Sequence, residues 1–268
     1  MKIFAWNARG LGSSRAFNTL RYHKQEVKPK VMFLIETRCG HDKMEKWHVS
    51  PGYKGKLMID CQGKSGGLCM FWDSRTNINL MSYSQTHIDV CILRDGSQRW
   101  RFMGFYGNPD HSQRYHSWTL LKRLAGMVDL SWVCMGDFNE IMFDSEKCGG
   151  LPKNWRELVS FREAVEECNL MDMGYRCPRF TWSNKREGSA TIMERLDRGL
   201  YDVECSSIVS KIWSTKQGGE DIMESILRTL QLCGERLGTW NVEKRISLTH
   251  DFVTRRETLR NACKSNKP

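Results

Sequence analysis

Short apolar runs that stop at a polar residue recur along the chain. Lys2 to Trp6 reads as a strand that ends at Asn7, and Val31 to Ile35 (VMFLI) is a continuous apolar run that ends at Glu36. Such a run suits a strand covered on both faces. Gly66-Gly67 opens another run, Leu68 to Trp72. Ile88 to Leu93 and Trp100 to Tyr106 read as two strands joined through an Asp95-Gly96 turn, a strong hairpin signal. Trp132 to Met135 is a further strand that runs into Gly136-Asp137, and Phe180 to Trp182 and Met193 to Tyr201 read as later strands.

Helical spacing alternates with these runs. Ser13 or Ser14 can cap a helix reaching to about Val27, with Phe17 and Leu20 on its inner face. Trp118, Leu121, Leu124, Ala125 and Val128 recur at helical intervals between Tyr115 and Val128. Leu158, Phe161, Val165 and Cys168 mark another amphipathic helix. Helices alternate with strands, and some strands come in pairs with no helix between them. That pattern predicts an α/β sandwich rather than a pure doubly wound sheet. From about Lys216 the texture changes to an amphipathic stripe, Ile222 to Trp240, followed by a charged tail. The expected division is a domain over residues 1–215 and a helical extension over 216–268.

Composition narrows the class. The net charge is +10, which favours a polyanionic partner, although no dense Lys/Arg block is present. No apolar run approaches the roughly 18 residues that a membrane helix needs. The opening MKIFAWNARG is broken by Asn7 and Arg9, so it reads as a strand and not as a signal peptide. An intracellular location is therefore expected, with the nucleus the compartment that a DNA partner would imply. The 11 cysteines include no C-x-x-C pair, which argues against a zinc site and for reduced, buried thiols.

The chemistry is expected at the strand ends, where Asn7, Glu36, Tyr106, Asn108, Asp137 and Asn139 stand. Adjacent strand ends can bring such residues into one cleft. Carboxylates, amides and a phenol together suit a hard, oxygen-loving cation and the oxygens of a phosphate. Singly, each has a plainer reading. Glu36 can be a solvated residue at a strand exit, Gly136 to Asn139 a simple turn, and Asn7 a loop cap. The ordered set carries the functional reading.

That ordered set comprises WNARGLG, LIET, GFYGNP, MGDFNEI, FTWSN and ERLDRGL. It resembles the endonuclease domain of plant LINE-type retrotransposons, within the endonuclease/exonuclease/phosphatase superfamily, over roughly residues 1 to 202. The resemblance implies a four-layer α/β sandwich, two packed mixed β-sheets flanked by helices, that acts on DNA with Mg²⁺ or Mn²⁺. It implies that Glu36 holds the metal with Asn7 beside it, that Tyr106 bonds the scissile phosphate and that Asp137 positions or deprotonates water. Asn139 would orient phosphate and Asp137, and Asp197 would support a catalytic histidine. Arg9, Asn108, Trp182, Asn184 and Arg198 would border nucleic acid, as would Arg179, Lys185 and Arg186. Trp182 also has a core reading.

The chain departs from the pattern at its end. Family members carry a late Ser-Asp-His triplet, whereas after Asp202 this chain reads VECSSIVSKIWSTKQGGEDIMESILRTL, with no such triplet. The departure implies a deletion near Trp213 to Glu220, or an error in the gene model, and an incomplete final set of strands. His250-Asp251 has the reversed order in a charged tail and reads as a solvated pair. His87, His111 and His116 match no catalytic position.

Overall fold

The computed structural model describes residues 1–40, 42, 44, 53–63, 65–93, 99–175 and 178–202. In chain order the strands are β1 (Ile3–Asn7), β2 (Val31–Ile35), β3 (Tyr53–Ile59), β4 (Leu68–Asp73), β5 (Asn77–Ser84), β6 (His87–Leu93), β7 (Arg99–Tyr106), β8 (Trp132–Asp137), β9 (Lys147–Cys148), β10 (Leu170–Asp172), β11 (Trp182–Ser183), β12 (Met193–Glu194) and β13 (Asp197–Asp202). The helices are α1 (Ser14–Val27), α2 (Arg114–Ala125) and α3 (Trp155–Glu167).

Alternation along the strands builds the layers. In β2, Val31, Phe33 and Ile35 face one way into a core shared with Ile88, Val90, Phe102 and Val133 of the other sheet. Met32 and Leu34 face the opposite way, onto a cluster with Leu20 of α1. In β7, Met103 and Phe105 face α2 and α3, where Trp118, Leu121 and Phe161 cover them. The result is helix, sheet, sheet, helix, which is the four-layer α/β sandwich expected. One sheet has the order β1-β2-β4-β3 and the other the order β10-β13-β8-β7-β6-β5. Both are mixed: β1 with β2 and β7 with β8 are parallel pairs, and the remaining neighbours are antiparallel. Phe33 is wholly buried between the sheets, a position where truncation to Ala typically costs about 3–5 kcal/mol.

Local sequence sets the element ends. Ser13 caps α1 by accepting from Ala16 N at 3.2 Å, and the helix stops at left-handed Lys28, just before Pro29. β6 and β7 pair antiparallel, as a hairpin requires, while their Asp95-Gly96 connection lies outside the described residues. The stripe and tail after residue 202, with the expected boundary at 215, also lie outside them.

The structure departs from the sequence reading at two points. Met193 to Tyr201 is not one strand. Arg195 and Leu196 interrupt it, so that β12 joins a small sheet of order β11-β12-β9 and β13 joins the large one. The interruption is driven by Arg195, whose guanidinium turns to Glu146 and Asp172. β3, β5 and β10 were not predicted. β5 is an outer strand whose Asn77-Ile78-Asn79-Leu80 alternation is cut short by a register shift between Leu80 and Ser82, which leaves too short a period to read. The described cysteines carry free thiols, and Cys39, Cys69, Cys91, Cys134 and Cys168 are buried, as expected. Among the described residues no helix is long and apolar enough to cross a membrane.

Candidate active site

Strand register assembles the site at one end of the sandwich. In the large sheet Tyr106 is level with Asp137, and Asp137 is level with Asp197, which places a phenol and two carboxyls in a row across β7, β8 and β13. In the small-order sheet Asn7 is level with Ile35, so Glu36 emerges just beyond it. The two rows meet across the seam. Asn7 Nδ2 donates to Asp137 Oδ2 at 2.7 Å and lies 3.2 Å from Glu36 Oε1. The Tyr106 hydroxyl donates to the same Glu36 oxygen at 3.1 Å. Residues separated by as many as 130 positions thus share one hydrogen-bonded cluster.

The backbone around the cluster is pinned and strained. Gly10 N donates to Glu36 O and Leu11 N to Thr37 O, both at 2.8 Å, while Thr37 N donates to Gly67 O on the other side. Among the described residues seven non-glycine residues have positive φ, and Arg9, Glu36, Arg38 and Asn139 are four of them. Such outliers cost on the order of 1–3 kcal/mol each and concentrate where function demands a particular geometry. Asn139 N donates to Asp137 Oδ1 at 2.8 Å, and its side-chain amide donates to Gly107 O at 2.7 Å. Position 107 must be glycine for this approach, because a Cβ there would meet Phe138 O at 2.1 Å.

The electrostatics are those of a site short of positive charge. Burial pushes the Asp137 carboxyl above the usual range, against the bonds from Asn139 and Asn7 that favour its anion. Burial and the neighbouring Asp137 charge raise Asp197 to about 7, although Thr181 hydrogen-bonds it. Burial and the Glu36 charge hold the Tyr106 phenol well above its ordinary value, so it remains a donor at neutral pH. Arg38, which sequence reasoning passed over, places Nη2 on Glu36 Oε2. Its position two residues beyond Glu36 was the available signal.

A divalent cation fits this donor set. Its available atoms are oxygens of Glu36 and Asp137, and the Arg38 guanidinium already occupies one of them as a stand-in cation. Mg²⁺ is commonly held by one or two carboxylates while it keeps several waters. Among the described residues, no set of three or more His, Cys, Asp or Glu gathers as a metal cage, so water and substrate oxygens would complete the shell. No described histidine hydrogen-bonds Asn7, Glu36, Tyr106, Asp137 or Asp197. His87 instead bonds Ser82 and Ser84 within the β5–β6 hairpin.

The residues expected to border nucleic acid divide. Arg9 lies close enough for its charge to favour the Asp137 and Asp197 anions. Asn108 sits in the loop after β7, where its Oδ1 accepts from Asp110 N. Asn184 spends its amide inside its own loop, accepting from Arg186 N and Ile192 N and donating to Ala190 O. Trp182 packs against Ile141, Leu158 and Leu196, which supports its core reading. Arg198 is corrected outright. Its side chain is 0% exposed and is locked to Glu146 and Asp172, so it has no face to offer a phosphate.

No protein-family model and no curated protein sequence matches the chain. Solved structures do. An AP endonuclease from Leishmania major superposes with a TM-score of 0.62 at 17% identity, covering 77% of this chain and 80% of that one. The endonuclease domain of TRAS1, a telomere-specific non-LTR retrotransposon, gives a TM-score of 0.56 at 14% identity over 77% of this chain and 87% of its own. The 3′ phosphatase NExo from Neisseria, bound to a product DNA hairpin, gives 0.55 at 15% identity over 78% and 88%. The chain therefore has the endonuclease/exonuclease/phosphatase fold.

Proposed function

We propose that this chain is a divalent-metal-dependent, DNA-directed phosphodiesterase domain of retrotransposon origin, impaired in catalysis because the Asp-His dyad is missing. The observation that carries the proposal is the Asn7–Glu36–Tyr106–Asp137 cluster, drawn from four strand ends and bonded across the seam. The fold shared with an AP endonuclease, a retrotransposon endonuclease and a DNA 3′ phosphatase supports the same reading.

A phosphodiester is anionic and repels an incoming hydroxide. Glu36 would hold Mg²⁺ or Mn²⁺, with Asn7 and Asp137 beside it, and the cation would neutralise charge that grows on phosphate. Tyr106 is a protonated donor aimed at the same point. Asp137, fixed by Asn7 and by Asn139 N, is placed to accept a proton from water. Among the described residues no histidine bonds Asp197, which stands as a half-neutralised carboxyl beside Asp137. Loss of one such group typically lowers turnover by on the order of 10²-fold or more.

The test is nicking of supercoiled DNA in Mg²⁺ by the unaltered chain and by Asp137→Ala. Matching, background-level nicking is expected. Nicking by the unaltered chain that disappears in Asp137→Ala would sink the claim of impairment and leave an active nuclease.

A further inference from the structure

Two large apolar side chains stand exposed on the segment between β9 and α3. Leu151 is 84% and Trp155 65% exposed, on the loop that joins β9 to α3 and on the first residue of α3. The loop is firmly seated. Gly149 and Gly150 have φ of 79° and 69°. A Cβ on Gly149 would fall 2.0 Å from Thr191 O, and one on Gly150 2.8 Å from Ile192 Cδ1. The tip bearing Leu151 is therefore pressed against the β11–β12 connection. Beneath it, Trp182 fills the space between Ile141, Leu158 and Leu196. An exposed leucine on so rigid a turn costs little to order on contact.

Ion pairs and hydrogen bonds tie this segment to the elements that carry the site. Glu140 follows Asn139 and is clamped by Arg114 and Lys153, and Lys153 lies in the same loop as Leu151. Thr181, immediately before β11, bonds the backbone of Asp197. The surface's inner acids are already neutralised: Glu140 by Arg114 and Lys153, Glu194 by Lys147 and Lys153, Glu146 by Arg195 and Arg198. By contrast, Arg156, Arg179, Lys185 and Arg186 form no ion pair among the described residues, while Asp144 and Glu187 are the loops' unpaired acids. Free cations beside Trp155, at Arg156, and on the connection against which the Leu151 tip packs, at Lys185 and Arg186, favour a ligand that is anionic outside and apolar within.

Building on the function proposed above, we infer that Leu151 and Trp155 form a wedge that enters a base step of duplex DNA. Arg156, Lys185 and Arg186 take the flanking phosphates. Apolar wedges of this kind partly unstack a step and bend the duplex, which lets it wrap more protein surface. The wedge would therefore select for deformable steps rather than for a hydrogen-bonded base code.

The test uses the full chain in EDTA, so that catalysis plays no part. Binding of a labelled duplex is followed by anisotropy, and unstacking by 2-aminopurine placed at successive steps. Leu151→Ser combined with Trp155→Ala should weaken binding roughly 10-fold or more and abolish the 2-aminopurine rise. The salt dependence should stay unchanged, since no phosphate contact is lost. Trp155→Phe should restore most of the signal. Arg156→Ala should instead reduce the salt slope by about 1. Equal binding and equal 2-aminopurine signals in the double variant would overturn the wedge and leave the proposed function standing. Failure of the unaltered chain to bind any duplex would overturn both. A dimer that becomes a monomer in the double variant, with DNA binding unchanged, would reassign the surface to contact between copies.

Discussion

Two carboxylate clusters of this molecule are buried to similar depth and behave oppositely. Beneath the three-stranded sheet, Glu146 and Asp172 meet Arg195 and Arg198 at distances from 2.6 to 3.3 Å. Burial works against both carboxylates, yet the guanidinium bonds outweigh it and hold them below the usual range. At the strand ends, Asp137 and Asp197 are pushed upward, because burial meets neighbouring negative charge and too few cations. The first cluster satisfies its own charges and serves the fold. The second leaves charge uncompensated at a seam where Asn7 and Glu36 are only partly buried, which suits it to receive a cation. Counting carboxylates would not separate the two, but counting their internal partners does.

The largest effect should come from breaking the satisfied cluster. Arg198→Met leaves Glu146 and Asp172 with one guanidinium between them and should cost about 3–5 kcal/mol in urea unfolding. Arg198→Lys should recover little, because an ammonium cannot reproduce the forked contacts. A loss below 1 kcal/mol would remove the contrast between the clusters.

Next comes the pH dependence, where the two clusters carry opposite signs. Asp197 binds its proton more tightly folded than unfolded, so its contribution to stability declines as pH rises from about 4 towards about 7. The decline should be on the order of 1–3 kcal/mol, since the residue is only partly buried. It should be flattened in Asp197→Asn. Glu146 and Asp172 act the other way, and their stabilisation is lost as pH falls below about 4. A stability profile identical in Asp197→Asn and the unaltered chain would contradict the account of the strand-end cluster.

A cation should then supply what the site lacks. Millimolar Mg²⁺ or Mn²⁺ should raise the unfolding temperature of the unaltered chain, with a gain near 2.7 kcal/mol at about 100 times Kd. Glu36→Gln and Asp137→Asn should show no such rise. Equal shifts in all three would place the cation elsewhere. Smallest is the effect of Arg38, whose half-exposed guanidinium competes for Glu36. Arg38→Gln should tighten Mn²⁺ binding by a few-fold at most, in keeping with the roughly 0–1 kcal/mol of an exposed pair. Weaker binding in that variant would mean that Arg38 assists the cation.

The sequence made visible those elements whose burial is one-sided or complete. VMFLI is buried at every position and was legible as β2, and the α1 cap was legible at Ser13. The site was legible because its members end apolar runs, a local mark of a non-local meeting. What stayed hidden depends on partners distant in sequence. Arg198 looked like a surface cation within RLDR, and its burial is set by Glu146 and Asp172, which are 52 and 26 positions away. The break between β12 and β13 had the same cause, since Arg195 is drawn to the same two acids. β5 gave only half a period because its register shifts between Leu80 and Ser82.

The Asn7 amide has a mechanical consequence. One nitrogen touches a carboxylate from each slab of the sandwich, so it acts as a clasp where the slabs would first part. Prising them open by even an ångström would release the clasp while Phe33 and its neighbours still held the middle shut. Amide exchange near residues 7, 36 and 137 should therefore precede global opening. Any ion that bridges the same two carboxylates would slow that fraying, and the occupancy of the cleft would be written into the stiffness of the whole rim.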